Sequence, residues 1–155
     1  MVVFLCVHCP YVKHIQSGLA EFGREYATTD LAVVGIASND AARHPEDGPE
    51  SQAKVADQVG YTFPVVHDAT QEVAQAFTAA CTPDFFLFTA DGRLAYRGQF
   101  DDARPGNAVP ITGASLRAAV ESVLAGSDVT IEQLPSTGCS IKWRSETSGL
   151  SISRQ

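Results

Sequence analysis

Basic residues are scarce in this chain. Eleven Lys and Arg stand against eighteen Asp and Glu, a formal charge of −7, so there is no basic footprint for a nucleic-acid backbone. Long apolar runs are missing as well, and none nears the roughly 20 residues that span a membrane. Met1 to Leu5 is too short for the apolar part of a secretory signal and carries no basic residue, so the expected location is the cytoplasm. Cysteines number only four in 155 residues, too few for a disulfide scaffold. Internal repeats and low-complexity tracts are absent. Apolar content of 45% against 19% charged describes one globular domain with an ordinary core rather than a disordered chain.

Two of the four cysteines stand close together in Val2-Val3-Phe4-Leu5-Cys6-Val7-His8-Cys9-Pro10. Val2 to Leu5 suits a buried strand. After Pro10, Val12, Ile15, Leu19, Phe22 and Tyr26 recur in steps of three and four and make one helical stripe. The C-x-x-C pair therefore falls at a strand-to-helix junction. Unpaired N–H groups and the positive end of the helix dipole favour a thiolate there. In a reducing compartment such a pair points to redox catalysis or to metal.

Farther on, Leu31–Ala37 reads as a second buried strand, parallel to the first because a helix intervenes. Ser38–Pro49 is a polar loop. Glu50–Val59 reads as a helix ended by Gly60, and Phe63–Asp68 as a short extended piece whose proline favours a sheet edge. Gln71–Ala80 reads as a helix with Val73, Ala76 and Phe77 inward. Phe85–Phe88 reads as a strand covered on both faces, joined through Ala90–Arg93 to a hairpin partner at Leu94–Arg97. A loop spans 99–113. Ser115–Ala125 reads as a helix burying Leu116, Ala119, Val120, Val123 and Leu124, with Gly126 as its stop. The domain is expected over 1–143, with 144–155 a polar, disordered tail.

The order β-α-β, then β-β-α, with C-x-x-C at the first junction, is the α/β core of a thioredoxin-like fold, a mixed four-stranded sheet with flanking helices. Four blocks carry a family resemblance: Cys-Val-His-Cys-Pro-Tyr-Val-Lys-His (6–14), Ala-Cys-Thr-Pro-Asp-Phe-Phe-Leu-Phe (80–88), Tyr-Arg-Gly-Gln-Phe-Asp-Asp-Ala-Arg-Pro-Gly-Asn (96–107) and Pro-Ser-Thr-Gly-Cys-Ser-Ile-Lys-Trp (135–143). In this order they resemble bacterial redoxin-domain proteins, the peroxiredoxin-like group of alkyl hydroperoxide reductases and thiol-specific antioxidants. The resemblance implies that Pro83 is a cis-proline facing the dithiol and that the Thr82 backbone pairs with an extended substrate. Relatives carry a further strand and helix before the C-x-x-C strand. Without that strand, Leu31–Ala37 becomes a sheet edge and a surface for self-association.

Cys6 is expected to be the attacking thiol, since it ends the strand nearest the helix dipole and is the more exposed. Cys9, one turn in, resolves the mixed disulfide and releases reduced substrate with a Cys6–Cys9 disulfide. The partner is a disulfide-containing protein or small thiol substrate, with an unidentified reductant. No cofactor or metal is expected: a zinc knuckle needs four ligands, usually two such pairs, and Cys81 and Cys139 stand alone. His8 either stabilises the Cys6 thiolate or is a solvated helix-start residue. Cys81 reads as a small core residue, or else as a further redox thiol near the site. Cys139 reads as packing with Trp143, or else as a distant resolving thiol. Lys13 and His14 lie on the polar face of the first helix. Asp101, Asp102, Arg104 and Asn107 mark a charged loop of no evident mechanism, and His44 and His67 read as isolated loop residues.

Thiol–disulfide oxidoreduction is thus the leading function. A peroxidase with Cys6 as the peroxidatic thiol is the alternative. It lacks the usual Pro-x-x-x-Thr-x-x-Cys loop, because Val3 stands where the threonine would be. A non-catalytic or zinc-binding module is the third reading.

Overall fold

A computed structural model describes residues 1–145. Its elements are β1 (Val2–Leu5), α1 (Pro10–Tyr26), β2 (Val34–Ala37), α2 (Pro49–Val59), β3 (Val65–His67), α3 (Glu72–Ala76), β4 (Cys81–Thr82), β5 (Asp84–Phe88), β6 (Leu94–Gly98), α4 (Ala114–Leu124) and β7 (Cys139–Ser140), with a single 3-10 turn at Pro45–Asp47. The main sheet has the order β3-β2-β1-β5-β6, and β4 pairs separately with β7. β1 is central. It runs parallel to β2, with Phe4 opposite Ile36, and antiparallel to β5, with Val3 opposite Phe85. This is a mixed α/β thioredoxin-like architecture.

Strand alternation divides the core between the two faces of the sheet. Val3, Leu5, Phe85 and Leu87 face a cluster with Val12, Ile15, Leu19 and Phe22 of α1 and Leu116 and Val120 of α4. Phe4, Ile36 and Phe86 face a second cluster with Ala74, Ala79 and Ile141. All five residues of the predicted α1 stripe are buried, and Pro10 starts the helix where its missing N–H leaves no bond unmade. Leu116, Ala119 and Val120 of α4 are buried as predicted, whereas Leu124 at its end is exposed.

The predicted sheet edge is corrected. Leu31–Ala37 is not an open strand: only Val34–Ala37 is extended, and β3 covers it in parallel register, Gly35 opposite Val65 and Ala37 opposite His67. Gly35 N donates to the Pro64 carbonyl at 2.9 Å, so the proline supplies the one group it still has. The sheet therefore has five strands rather than four. Its open edge is β3, with Val66 47% exposed, and self-association through 31–37 loses its basis. Three residues make a short edge, which limits strand-to-strand pairing.

The helix predicted over Gln71–Ala80 covers only Glu72–Ala76, and Val73 and Ala76 face outward. Thr78 takes φ 52°, and Ala79 N bonds back to Ala74 O at 2.9 Å, a six-to-one closure that ends the helix. That reversal returns Ala79 to the core. It leaves the Phe77 ring 5.5 Å from Phe4 and 5.3 Å from Phe86, edge to face.

The charged loop after β6 is a structural device. Buried Asp101 accepts hydrogen bonds from Ala103 N (2.9 Å), Thr112 N (2.7 Å) and Gly113 N (2.7 Å). Arg104 donates to the Asp101 and Ala103 carbonyls and to Gln99, while Asn107 Nδ2 donates to Asp102 O at 2.7 Å. Gly113 has φ +66°, and a Cβ there would meet the Phe100 ring at 2.7 Å. Asp101→Ala orphans two buried donors and one part-buried donor, and an expected loss of about 3 kcal/mol follows. Urea unfolding checks it; a loss below about 1 kcal/mol would mean that water replaces the carboxylate.

Arg144 N donates to Gln71 Oε1 at 2.8 Å, and Arg43 donates to Ser145 Oγ at 2.9 Å. The rest of the predicted tail, 146–155, lies outside the described residues. Among the described residues, no helix is long and apolar enough to cross a membrane.

Candidate active site

Cys6 follows the last residue of β1, and Cys9 caps the N-terminus of α1, its carbonyl accepting from Lys13 N at 3.0 Å. Both are free thiols. The predicted exposure of Cys6 is corrected: it is 3% exposed and Cys9 is 0%, because two distant segments close over the junction. One is the Thr82–Pro83 turn, whose peptide bond is cis. Thr82 reaches both sulfurs. Its Oγ1 lies 3.1 Å from Cys6 Sγ, and its carbonyl oxygen accepts from Cys9 Sγ at 3.1 Å.

The other covering segment is the turn Pro45–Asp47. Asp47 is fully buried and accepts from Val7 N (2.8 Å), His8 N (3.4 Å) and Asn39 Nδ2 (2.7 Å). His8 Nδ1 stands 2.5 Å from Asp47 Oδ2, off the line of a directed hydrogen bond. The His8 ring stacks on His44 at 5.7 Å, and His44 Nδ1 is 3.5 Å from Glu46. His44 is therefore not the isolated loop residue predicted, and His67 lies in β3 rather than in a loop. Lys13 is exposed, whereas His14 is half-buried with Nε2 enclosed. Asp47 is the site residue that sequence reasoning missed. Only the Asp-Gly-Pro turn signal marks it, and a turn signal gives no hint of burial.

The two thiols titrate as a pair. The hydrogen bond to Cys9 and then burial push Cys6 up; Thr82 opposes this, and the Asp47 carboxylate adds to it. The same hydrogen bond pulls Cys9 down against the effect of its burial, and the Cys139 thiol helps. The pair thus loses its first proton easily, because the remaining S–H stabilises the thiolate. Thr82 can serve either arrangement, donating its hydroxyl to a Cys6 thiolate while its carbonyl accepts the proton kept on Cys9.

Cys81 is a buried core thiol, as predicted, with Sγ 3.6 Å from Pro83 O. Burial, then the Asp84 charge, push it up to about 12 from the ordinary 9.0. A raised acid pKa favours the neutral form in the fold. Its contribution to stability is complete below pH 9 and disappears as pH rises from 9 towards 12. Cys81→Ala should therefore show a smaller alkaline drop in Tm than the parent over that window. An equal drop would assign the alkaline sensitivity to the tyrosines. Cys139, read from sequence as packing with Trp143 or as a distant resolving thiol, packs against the core cluster that contains Cys9, while Trp143 is 41% exposed.

Cys6, His8 and Asp47 hold donor atoms within 4.8 Å of one another. Three other groups already bond to Asp47, so the set forms a hydrogen-bonded network first and a metal site only if those bonds break. Beside Pro83, the residues Tyr11, Gln99, Arg104 and Thr137 border a crevice of about 10 Å³, room for a water rather than a substrate.

Comparison with known proteins agrees with this fold. An uncharacterized conserved protein from Geobacillus kaustophilus is 51% identical, with a TM-score of 0.90 over 92% of this chain and 76% of its own. The hypothetical protein SMc02350 from Sinorhizobium meliloti is 53% identical, with a TM-score of 0.91 over 92% of this chain and 78% of its own. A thioredoxin-like protein solved in its oxidized form shares the fold, with a TM-score of 0.62 at 19% identity over 82% of this chain and 79% of its own. No curated protein matches. The AhpC/TSA family model matches residues 1–97, which include the dithiol, the Asp47 turn and Thr82–Pro83. The chain belongs to the AhpC/TSA family, a family of thioredoxin-like oxidoreductases.

Proposed function

We propose that the protein is a thiol–disulfide oxidoreductase whose working pair is Cys6 and Cys9, acting in a reducing compartment such as the cytoplasm. The observation that carries this reading is the position of Thr82, with its hydroxyl on one sulfur and its carbonyl on the other. Cys6 attacks a disulfide as the thiolate and forms a mixed disulfide, expelling one substrate thiolate. Cys9 then gives up its proton and attacks Cys6 Sγ. The Cys6–Cys9 bond forms, and the second substrate thiolate leaves. His8 and Asp47 position the intervening turn. The substrate is a protein or small-molecule disulfide, and an external thiol reductant restores the pair.

The test is a redox titration in graded dithiothreitol buffers, with free thiols trapped by alkylation and mapped by mass spectrometry. A reversible Cys6–Cys9 disulfide is expected. Its absence across the titration would dismiss the dithiol mechanism. Peroxidase chemistry is the second reading, supported by family membership and by a hydroxyl on Cys6. Against it, Val3 stands where the threonine of the usual peroxidatic loop would be. Peroxide consumption with a Cys6 sulfenic acid would favour it.

A further inference from the structure

The strand edge beside the dithiol is already occupied by the chain itself. β4 pairs antiparallel with β7, placing Cys139 opposite Thr82 and Ser140 opposite Cys81. The resemblance assigned the Thr82 backbone to a substrate strand, and here the protein's own tail takes that place. Gly138 permits the approach: a Cβ there would stand 2.0 Å from the Thr82 carbonyl oxygen. That oxygen also accepts the Cys9 thiol, so Cys9 and β7 meet at one atom. Cys139 packs against the core cluster that contains Cys9.

The tail is clamped on both sides of Cys139. Ser136 Oγ donates to Gly98 O at 2.7 Å. Beyond β7, Lys142 N donates to Asn39 Oδ1 at 2.8 Å, while Asp40 N and Gln71 Nε2 each donate to Lys142 O at 2.9 Å. Asn39 is the same side chain that holds Asp47. Cys139 is only partly buried, unlike Cys6 and Cys9. A part-exposed thiol is thus held against the buried member of the pair.

We propose that Cys139 is a third redox thiol that takes the disulfide from Cys6–Cys9 and carries it to Cys9–Cys139. The step rests on the dithiol reading above. The Cys139 thiolate attacks Cys9 Sγ, the new S–S bond forms, and the Cys6–Cys9 bond breaks. The electron pair leaves with Cys6, which takes up the proton that Cys139 lost. One disulfide is exchanged for another, so no oxidant or reductant enters. Cys6 is thereby freed as a thiol, outside any disulfide. The disulfide now ends on a part-exposed sulfur, which an external thiol reductant reaches more readily than the buried Cys6–Cys9 bond.

The experiment uses the full chain as wild type, Cys6→Ser and Cys139→Ser, each shown by circular dichroism to be folded. Each is oxidised with diamide, alkylated and mapped by mass spectrometry. Wild type is expected to hold both Cys6–Cys9 and Cys9–Cys139, and Cys6→Ser to hold Cys9–Cys139. Adding Gly138→Ala to Cys6→Ser should reduce that crosslink several-fold with every remaining thiol intact. Reduction of oxidised Cys139→Ser by dithiothreitol should be about tenfold slower than that of wild type. If wild type forms Cys6–Cys9 while Cys6→Ser forms no Cys9–Cys139, the relay is wrong and the dithiol reading stands. Reduction of Cys139→Ser at the wild-type rate also overturns the relay. If wild type never forms Cys6–Cys9, the dithiol reading itself falls.

Discussion

Replacing Cys6 with serine is expected to lower disulfide exchange by about a thousandfold or more, to the background rate. The reason is chemical rather than structural. Serine fits the space beside Thr82 Oγ1, but its hydroxyl does not ionise near neutral pH, and the thiolate is the nucleophile. Cys9→Ser has a different signature: attack proceeds and resolution fails, so a mixed disulfide with substrate accumulates. Non-reducing electrophoresis with intact-mass measurement separates the two outcomes. The structure makes this a real contest, because the hydrogen bond between the sulfurs raises Cys6 and lowers Cys9. If Cys9→Ser abolished attack and Cys6→Ser trapped the intermediate, the two roles would be exchanged. The pH profile of alkylation should rise below the ordinary thiol range, as easy loss of the first proton from the pair requires.

Asp47 carries the second large effect. Asp47→Ala removes the acceptor for Val7 N, His8 N and Asn39 Nδ2 and leaves buried donors unpaired. A loss of about 3–5 kcal/mol is expected. Asp47→Asn keeps an acceptor oxygen and removes only the charge. The carboxylate lies within 4.8 Å of Cys6 Sγ and opposes its ionisation. Removing that charge makes the thiolate easier to form and so stabilises the reduced pair. The first ionisation should fall by about one pKa unit, and the disulfide should become more oxidising by about 30 mV. Alkylation rate against pH and the redox titration read these quantities independently. A potential that stayed fixed or became more negative would show that Asp47 does not act on the pair through its charge.

These effects fall in two classes of legibility. The apolar run of β1, the α1 stripe and the C-x-x-C pair between them could be read directly. Each is a local pattern, and strand and helix periods are properties of neighbouring residues. The likeness of residues 80–88 to a known block placed Thr82 and Pro83 at the site. Elsewhere local reading overran its evidence. The helix over 71–80 ends early because Thr78 turns the chain back to deliver Ala79 to the core, a demand set by the far side of the sheet. The strand Val34–Ala37 was legible within the apolar run 31–37, but nothing within it tells that Val65–His67 will cover its edge.

By itself, then, the sequence determined where the dithiol lies and which faces are apolar, since both follow from short-range spacing and side-chain type. Tertiary structure alone decided which groups meet the sulfurs: Asp47 from a polar turn, Thr82 through both its oxygens, and Cys139 from the tail. An acidic residue in a turn and a cysteine in a tail look alike in sequence whether they are solvated or buried. The fold encloses Asp47 fully and Cys139 in part beside the dithiol, and such enclosure is what turns an ordinary carboxylate or thiol into part of a site.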